Sequence, residues 1–513
     1  MNLSDQLSIT TRENPTKTAY VFQDQETSYQ ELEGSITKFA ASLRELGYEK
    51  GDHIALVTGN SPYFIIGLYG ALRLGLTVIP INPIYTADEM SYILKNGDVK
   101  AVITMDLFVE TFEQMAHDLP LIEHYIIAET SPDADWQNSK LSDKMKSFTS
   151  LVKEGSLQFD RPTIDEEDIA VILYTSGTTG APKGAMLSHK NIYSNAKDVA
   201  DYLQYDTNDK VIAALPMFHV FCLTVSLNAP LMNGGTVIIV PKFSPQETFR
   251  VASKWQATVF AGVPTMYNYL LQSSEGHTED FHSVRLCISG GASMPVALLK
   301  EFENTFNVMV SEGYGLSEAS PVTCFNPLDR PRKAGSIGQS IWNVENRVVD
   351  ELGEELPPGE VGELVVRGPN VMKGYYKLDE ETAVALRDGW LYTGDMAQVD
   401  EEGYFYIVDR KKDMILVGGY NVYPREVEEV LYKHPNITEV AVIGTPDPNL
   451  GEAVQAFVVL NEASAVTEQE LVDYCARHLA KYKLPTSIDF LDELPKNTTG
   501  KILRKSLRQR VTY

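Results

Sequence analysis

The sequence predicts an α/β protein: a large layered α/β N-terminal domain with a β-rich subdomain, followed by a small mobile α+β C-terminal domain. Three observations carry this. Strand-like apolar runs alternate with helical patterns through most of the chain. Beyond about residue 335 that rhythm gives way to short runs separated by glycine and proline turns. A second change follows the charged stretch DRKKD at 409–413. A chain of 513 residues exceeds what one hydrophobic core usually serves. The expected division is 1–409, with the β-rich subdomain at about 335–409, and 410–513.

The elements follow in order. After a short polar lead, YVFQDQETSYQELEGSITKFAASLRELG reads as a hairpin and then an amphipathic helix, with apolar residues at three-to-four spacing. HIALVTG, SPYFIIGLYGALRLG and TVIPINP read as strand, helix and strand, and ADEMSYILKNGDVKAVITM repeats the unit. The interval 130–160 loses the rhythm and reads as an irregular surface excursion. From Ile169 the order resumes, with DIAVILYTSG as a strand feeding a polar loop and HKNIYSNAKDVADYL as a helix. GTVIIVPKF, ATVFAGVP and SVRLCISGG are further strands or strand ends. VENRVVDELGEELPPGEVGELVVRGPNVMKGYY supplies the short strands of the subdomain. VEEVLYKHPNITEVAVIGTPD, QAFVVL and EQELVDYCARHLAKYKLP form the terminal unit, with DRKKD as the hinge. No fixed-period repeat or sustained heptad is present, which argues against a solenoid or coiled-coil scaffold.

Composition narrows the function. With 43% hydrophobic and 22% charged residues, the chain belongs with soluble globular proteins. Its net charge of -26 repels nucleic acid at long range, although a local pocket can still carry donors for an anionic nucleotide. Cys222, Cys287, Cys324 and Cys475 are widely separated and lack metal-ligand spacing, so they read as interior residues in a reducing compartment. The start lacks the pattern of a secretory signal, and the most apolar stretch, YFIIGLYGALRLGLTVIPI, is interrupted by Arg73, so no transmembrane anchor is expected and the expected location is cytoplasmic. Peripheral membrane contact and a homodimer are both compatible with the sequence.

The stretch TSGTTGAPKG at 175–184 points to chemistry. Thr175, Ser176, Thr178 and Thr179 supply hydroxyls, while Gly177 and Gly180 allow tight turns that expose backbone N–H groups. Lys183 adds a mobile positive charge. Together these suit a phosphate chain. The stretch is not a Walker loop, because Pro182 precedes the lysine and Gly184 stands where that loop carries its magnesium-binding hydroxyl.

The whole string resembles the signature loop of acyl-adenylate-forming (AMP-binding) enzymes. PMFHVF at 216–221, SGGASM at 289–294, EGYGLSE at 312–318, GWLYTGD at 389–395, DRKKDMILVGGYNVYP at 409–424 and PKNTTGK at 495–501 match the same family. The likeness is nearest to bacterial long- or medium-chain fatty-acid CoA ligases. It implies that ATP and a carboxylate give an acyl-adenylate and pyrophosphate, and that coenzyme A then displaces AMP to form a thioester. ATP, Mg2+ and coenzyme A are the cofactors implied, with a fatty acid or related carboxylate as partner.

The resemblance also implies roles. The 175–180 loop and Lys183 would hold the departing phosphates, and Glu318 would hold Mg2+. Ser317 stands where the family more often has threonine and keeps the hydroxyl. Glu312, Gly313 and Gly315 belong to the same nucleotide-binding motif. Gly290, Gly291 and Ala292 would wall the adenine, Tyr314 would place its ring beside it, and Asp395 would accept from the ribose hydroxyls. Arg410 would reach ribose or phosphate, and Lys501 would bridge the substrate carboxylate and the α-phosphate. His219 would gate and orient at the acyl pocket, with proton abstraction from coenzyme A as the lesser role. Lys412, beside Lys411, matches the hinge, and Gly418 and Gly419 would line the thiol passage. Read from the residues, the segment VFAGVPTMYNYL, the SGG at 289–291 and the space left by Gly313 and Gly315 form the acyl slot. Two alternatives stand beside this: a CoA ligase for an aromatic or short branched acid, and an acyl-adenylate binding or delivery module.

Overall fold

Two large, mostly parallel sheets carry most of the chain in the computed structural model, which describes residues 2–131, 136–175, 181–461, 466–497 and 500–511. The first runs in the order Gly374–Tyr375, Lys183–Ser188, Ile169–Thr175, Thr77–Pro80, His53–Val57, Val99–Met105, His124–Ala128 and Met145–Ser147. Its strands are parallel from Ile169–Thr175 to the Met145–Ser147 edge, and antiparallel at the other edge. The second runs from Gln339–Ser340 through Val322–Phe325, Val310–Gly315, Leu286–Ser289, Val259–Gly262, Lys210–Ala213, Thr236–Ile239 and Thr18–Phe22 to Gln25–Ser28. The central strands of both sheets, such as Thr77–Pro80, Thr236–Ile239 and Leu286–Ser289, are buried throughout, as parallel strands covered on both faces require.

Helix Pro62–Leu74 shows how the layers meet. Every residue from Phe64 to Leu74 is buried, as an all-apolar helix requires. Its one charge, Arg73, is 1% exposed, and it is held by Ser4 Oγ at 3.1 Å, Thr37 Oγ1 at 2.6 Å and Glu33 Oε2 at 2.8 Å. A buried guanidinium persists only with such complete pairing. Strands and helices from both sheets share one apolar core that includes Ile54, Leu56, Leu68, Val199, Val211 and Ile288.

A third sheet pairs Glu345–Val349, Gly362–Arg367, Trp390–Val399 and Phe405–Arg410. The terminal unit has its own sheet, in which Ile437–Asp447 pairs along Gly451–Leu460, and its own core of Val417, Val427, Leu431, Val442, Val458 and Leu471. Among the described residues no helix is long and apolar enough to cross a membrane. All four cysteines are buried and free.

The structure differs from expectation in two places. The polar lead contains a helix, Leu3–Glu13, capped by Asn2 and pinned by buried Leu3, Leu7 and Thr10; two leucines and one isoleucine among polar residues are too few to betray it. Within 130–160, Met145–Ser147 extends the first sheet and Phe148–Glu154 is helical, with Phe148 stacked on Phe39 at 4.3 Å between centroids. The Phe148 contact reaches a partner more than a hundred residues away, which local periodicity does not contain.

Candidate active site

Parallel strands open their carboxyl ends to ligands, and here two of them build one cavity. Leu286–Ser289 ends at Gly290 and Gly291, and Val310–Gly315 ends with Gly313, Tyr314 and Gly315. Facing them are His219, Val220 and Phe221, then Leu316, Ser317, Pro321, Val322 and Phe325, and Lys501 from the terminal unit. The cavity measures about 60 Å³, room for about two waters at ~30 Å³ each.

Gly313 and Gly315 line the cavity, but the space beside their α-carbons is taken by protein atoms. A Cβ on Gly313 would overlap the Phe325 ring and lie 2.9 Å from the Cys324 carbonyl oxygen. On Gly315 it would lie 2.6 Å from the Pro321 carbonyl carbon. Both glycines let the antiparallel strand Val322–Phe325 close against Val310–Gly315. The Phe325 ring fills the space at Gly313, and the Phe221 ring that at Gly290, with Phe221 Cζ 3.2 Å from where a Cβ on Gly290 would stand.

The charged groups gather at one rim. The Tyr314 hydroxyl donates to Asp395 Oδ2 at 2.5 Å, and Arg410 Nε lies 3.5 Å from Asp395 Oδ1. Burial raises the Asp395 carboxyl, and Arg410 and the Tyr314 hydroxyl oppose that rise. Desolvation pulls the Lys501 ammonium down to about 8, and Arg410 adds to the effect, while Asp395 and Glu318 work against it. His219 is driven down to about 3 by burial, with Lys501 beside it contributing. Its Nδ1 accepts from the Phe221 N–H at 3.3 Å, so the neutral ring carries its proton on Nε2. That arrangement suits a donor that orients a ligand better than a base.

Ser176, Gly177, Thr178, Thr179 and Gly180 lie outside the described residues. The two ends of their loop are paired, Thr175 opposite Lys183 on antiparallel strands. The Lys183 ammonium sits 5.3 Å from the centre of the Tyr375 ring, and the Tyr375 hydroxyl donates to Glu318 Oε1 at 2.8 Å. Among the described residues no group of three or more His, Cys, Asp or Glu is arranged to hold a metal ion, so Glu318 stands as a single carboxylate.

Other predicted residues lie off the cavity. Ala292 is exposed and does not line this cavity. Glu312 is 2% exposed behind it, where Oε1 accepts from the Met294 N–H at 3.0 Å and Oε2 has no partner; burial pushes this carboxyl up to about 7. Lys412 is exposed in the turn after Phe405–Arg410, next to Lys411, whose Nζ lies 3.0 Å from Glu363 Oε2. Gly418 and Gly419, at φ +57° and +87°, form the exposed turn between Ile415–Val417 and Tyr420–Val422 and do not line the cavity. Sequence reasoning missed Phe221 and Phe325 as cavity walls and Tyr375 altogether; Phe221 stands inside a quoted motif, whereas nothing local marks the other two.

Residues 7–376 match the AMP-binding enzyme family and 426–501 match the AMP-binding enzyme C-terminal domain. A long-chain-fatty-acid–CoA ligase of Bacillus subtilis (strain 168) is 41% identical over 97% of this chain and 92% of its own length. A feruloyl-CoA synthase of an Amycolatopsis species is 34% identical over 97% of both chains. The crystal structure of ATP-bound MatB from Rhodopseudomonas palustris superposes with a TM-score of 0.91 at 34% identity, covering 99% of each chain.

Proposed function

The chain belongs to the AMP-binding enzyme family, and from that premise we propose that it is an ATP-dependent, AMP-forming acyl-CoA ligase acting on long-chain fatty acids. The 41% identity to a long-chain ligase over nearly the whole chain supports the substrate class. The reaction is supported best by one observation: Lys501, from the terminal unit, lines the same cavity as the strand-end residues Gly290, Gly291 and Tyr314.

A carboxylate oxygen attacks the α-phosphorus of ATP, the bond to the β-phosphate oxygen breaks, and pyrophosphate leaves. The coenzyme A thiolate sulfur then attacks the acyl carbonyl carbon, and AMP departs with the electrons of the C–O bond. Lys501 draws the two anions of the first step together and offsets charge on the α-phosphate. Asp395 accepts from the ribose hydroxyls, Tyr314 and the Gly290–Gly291 turn border the adenine, and Arg410 donates toward ribose or phosphate. Lys183 follows the departing pyrophosphate. Neutral His219 orients the acyl end. A lone carboxylate fits Mg2+, which completes its shell with water and phosphate oxygens, so Glu318 would hold the ion; when bound, it neutralises phosphate charge. For the second step the unit beyond residue 409 turns about Lys412, withdrawing Lys501 and bringing Gly418 and Gly419 toward the cavity.

Lys501 gives this reading a pH signature. Its ammonium is the active form and its value is about 8, so kcat/KM for ATP in the exchange reaction should fall as pH rises through that point. Lys501→Arg should remove the alkaline limb. His219, at about 3, should contribute no limb between pH 5 and 7.

The feruloyl-CoA synthase likeness, with Phe221 and Phe325 walling a small cavity, favours an aromatic acid as the second reading. ATP–pyrophosphate exchange over acetate through long fatty acids, ferulate and benzoate, with mass detection of the acyl-CoA, separates the two. Each buried methylene contributes about 0.8 kcal/mol, so efficiency should climb with chain length. Preference for ferulate would overturn the fatty-acid assignment.

A further inference from the structure

We infer that Tyr375 is a positioning residue that holds Glu318 and Lys183 in register for the phosphate end of the nucleotide. The Glu318 half of this inference rests on Glu318 as the magnesium-holding carboxylate. Strand Gly374–Tyr375 pairs antiparallel with Lys183–Ser188 and sets Tyr375 opposite Ala185. Directly opposed residues share a face of the sheet, and so do residues two apart on one strand. Tyr375 therefore stands on the same face as Lys183, one diagonal step away, which is how its ring comes to lie 5.3 Å from the ammonium. The hydroxyl at the far end of that ring reaches Glu318 Oε1 at 2.8 Å. One side chain thus touches both charged groups, each brought by a different segment.

The backbone around Tyr375 is pinned on both sides. Tyr376 N–H donates to Gly184 O at 2.8 Å and Lys373 N–H to Met186 O at 2.9 Å, while Met372 N–H donates to the carbonyl of Glu318 itself at 2.8 Å. The Tyr375 N–H donates to Thr382 Oγ1 at 2.8 Å, and the Thr382 side chain packs where Gly374 lacks a Cβ, 2.7 Å away. The phenol is consequently aimed by its own strand rather than free to follow Glu318. With Oε1 committed to the phenol, Oε2 is left to face the ion. A residue that orients a metal ligand in this way governs metal affinity about tenfold or more.

The test uses the full chain with Mn2+ as the probe ion and α,β-methylene ATP as the unreactive nucleotide. Mn2+ affinity in the ternary complex is read by electron paramagnetic resonance, nucleotide affinity in EDTA by calorimetry, and folding by thermal denaturation. Tyr375→Phe keeps the ring, so it should weaken Mn2+ about tenfold while leaving metal-free nucleotide binding and melting unchanged. Tyr375→Leu should in addition weaken metal-free binding severalfold, because Lys183 loses the ring beside it. Glu318→Gln should weaken Mn2+, and Tyr375→Phe added to it should cost nothing more.

Full Mn2+ affinity in Tyr375→Phe, alongside loss in Glu318→Gln, would overturn the proposal while leaving the magnesium assignment standing. Full affinity in Glu318→Gln would overturn that assignment and the Glu318 half with it. The Lys183 half stands or falls on Tyr375→Leu in EDTA, and unchanged nucleotide affinity there would overturn it.

Discussion

Replacing Lys501 by alanine is expected to slow carboxylate-dependent ATP–pyrophosphate exchange by two to three orders of magnitude, a loss of about 3–4 kcal/mol in the first transition state. Lys501 lines the cavity with Tyr314 and Ser317, and burial strengthens its charge interactions with Asp395 and Glu318. In the proposed adenylation two negatively charged reactants meet there, and losing the ammonium removes the charge that lines the cavity between them. Conversion of a supplied acyl-adenylate to acyl-CoA should change far less, because no second anion attacks phosphorus in that step. Single-turnover measurement of each half-reaction checks this. Equal loss in both would show that Lys501 supports the fold of the terminal unit rather than adenylation.

Gly315→Ala should cause a large loss of stability. The added methyl would stand 2.6 Å from the Pro321 carbonyl carbon and 3.1 Å from Val322 Cα, and neither backbone atom can swing aside as a side-chain tip would. Overpacking of this kind costs about 3 kcal/mol or more when strands must separate. Denaturant unfolding should shift accordingly, and nucleotide affinity should fall with it, because Tyr314 and Ser317 flank the displaced residue. Gly419→Ala is the control. Nothing lies within 4 Å of its Cβ position, so only its φ of +87° is penalised, at about 1–2 kcal/mol. Equal stability loss in the two variants would sink the close-packing account of Gly315.

The alternation of strands and helices was readable wherever an element carries its own periodicity. Pro62–Leu74 is apolar on all sides and announces itself, as does Tyr29–Glu45 with its capping box at Ser28 and Glu31. Leu3–Glu13 was hidden because two leucines and a buried threonine suffice once Met232 supplies a carbonyl to Thr10 at 2.8 Å. The chemical groups were readable for a different reason. Lys183 sits in a string whose hydroxyls and glycines suit phosphate, while Glu318, Asp395 and Lys501 were marked by the resemblance of their short strings to the family's motifs. Tyr375 was not, since GYY carries no chemistry until strand pairing sets its ring beside Lys183 and its hydroxyl against Glu318.

Gly313 and Gly315 show the boundary between the two kinds of information. The same letter can leave room for a ligand or let two strands touch, and the choice depends on what lies across the gap. By itself, then, the sequence determined which functional groups are present and which segments alternate, because side-chain chemistry and hydrophobic period are local properties of the chain. Only the tertiary structure decided that Phe325 and Pro321 close that gap, and that Lys501 lies against Gly291 some two hundred positions away. Contact across such a separation is a property of packing, where excluded volume and strand register select among arrangements that the local pattern leaves equal.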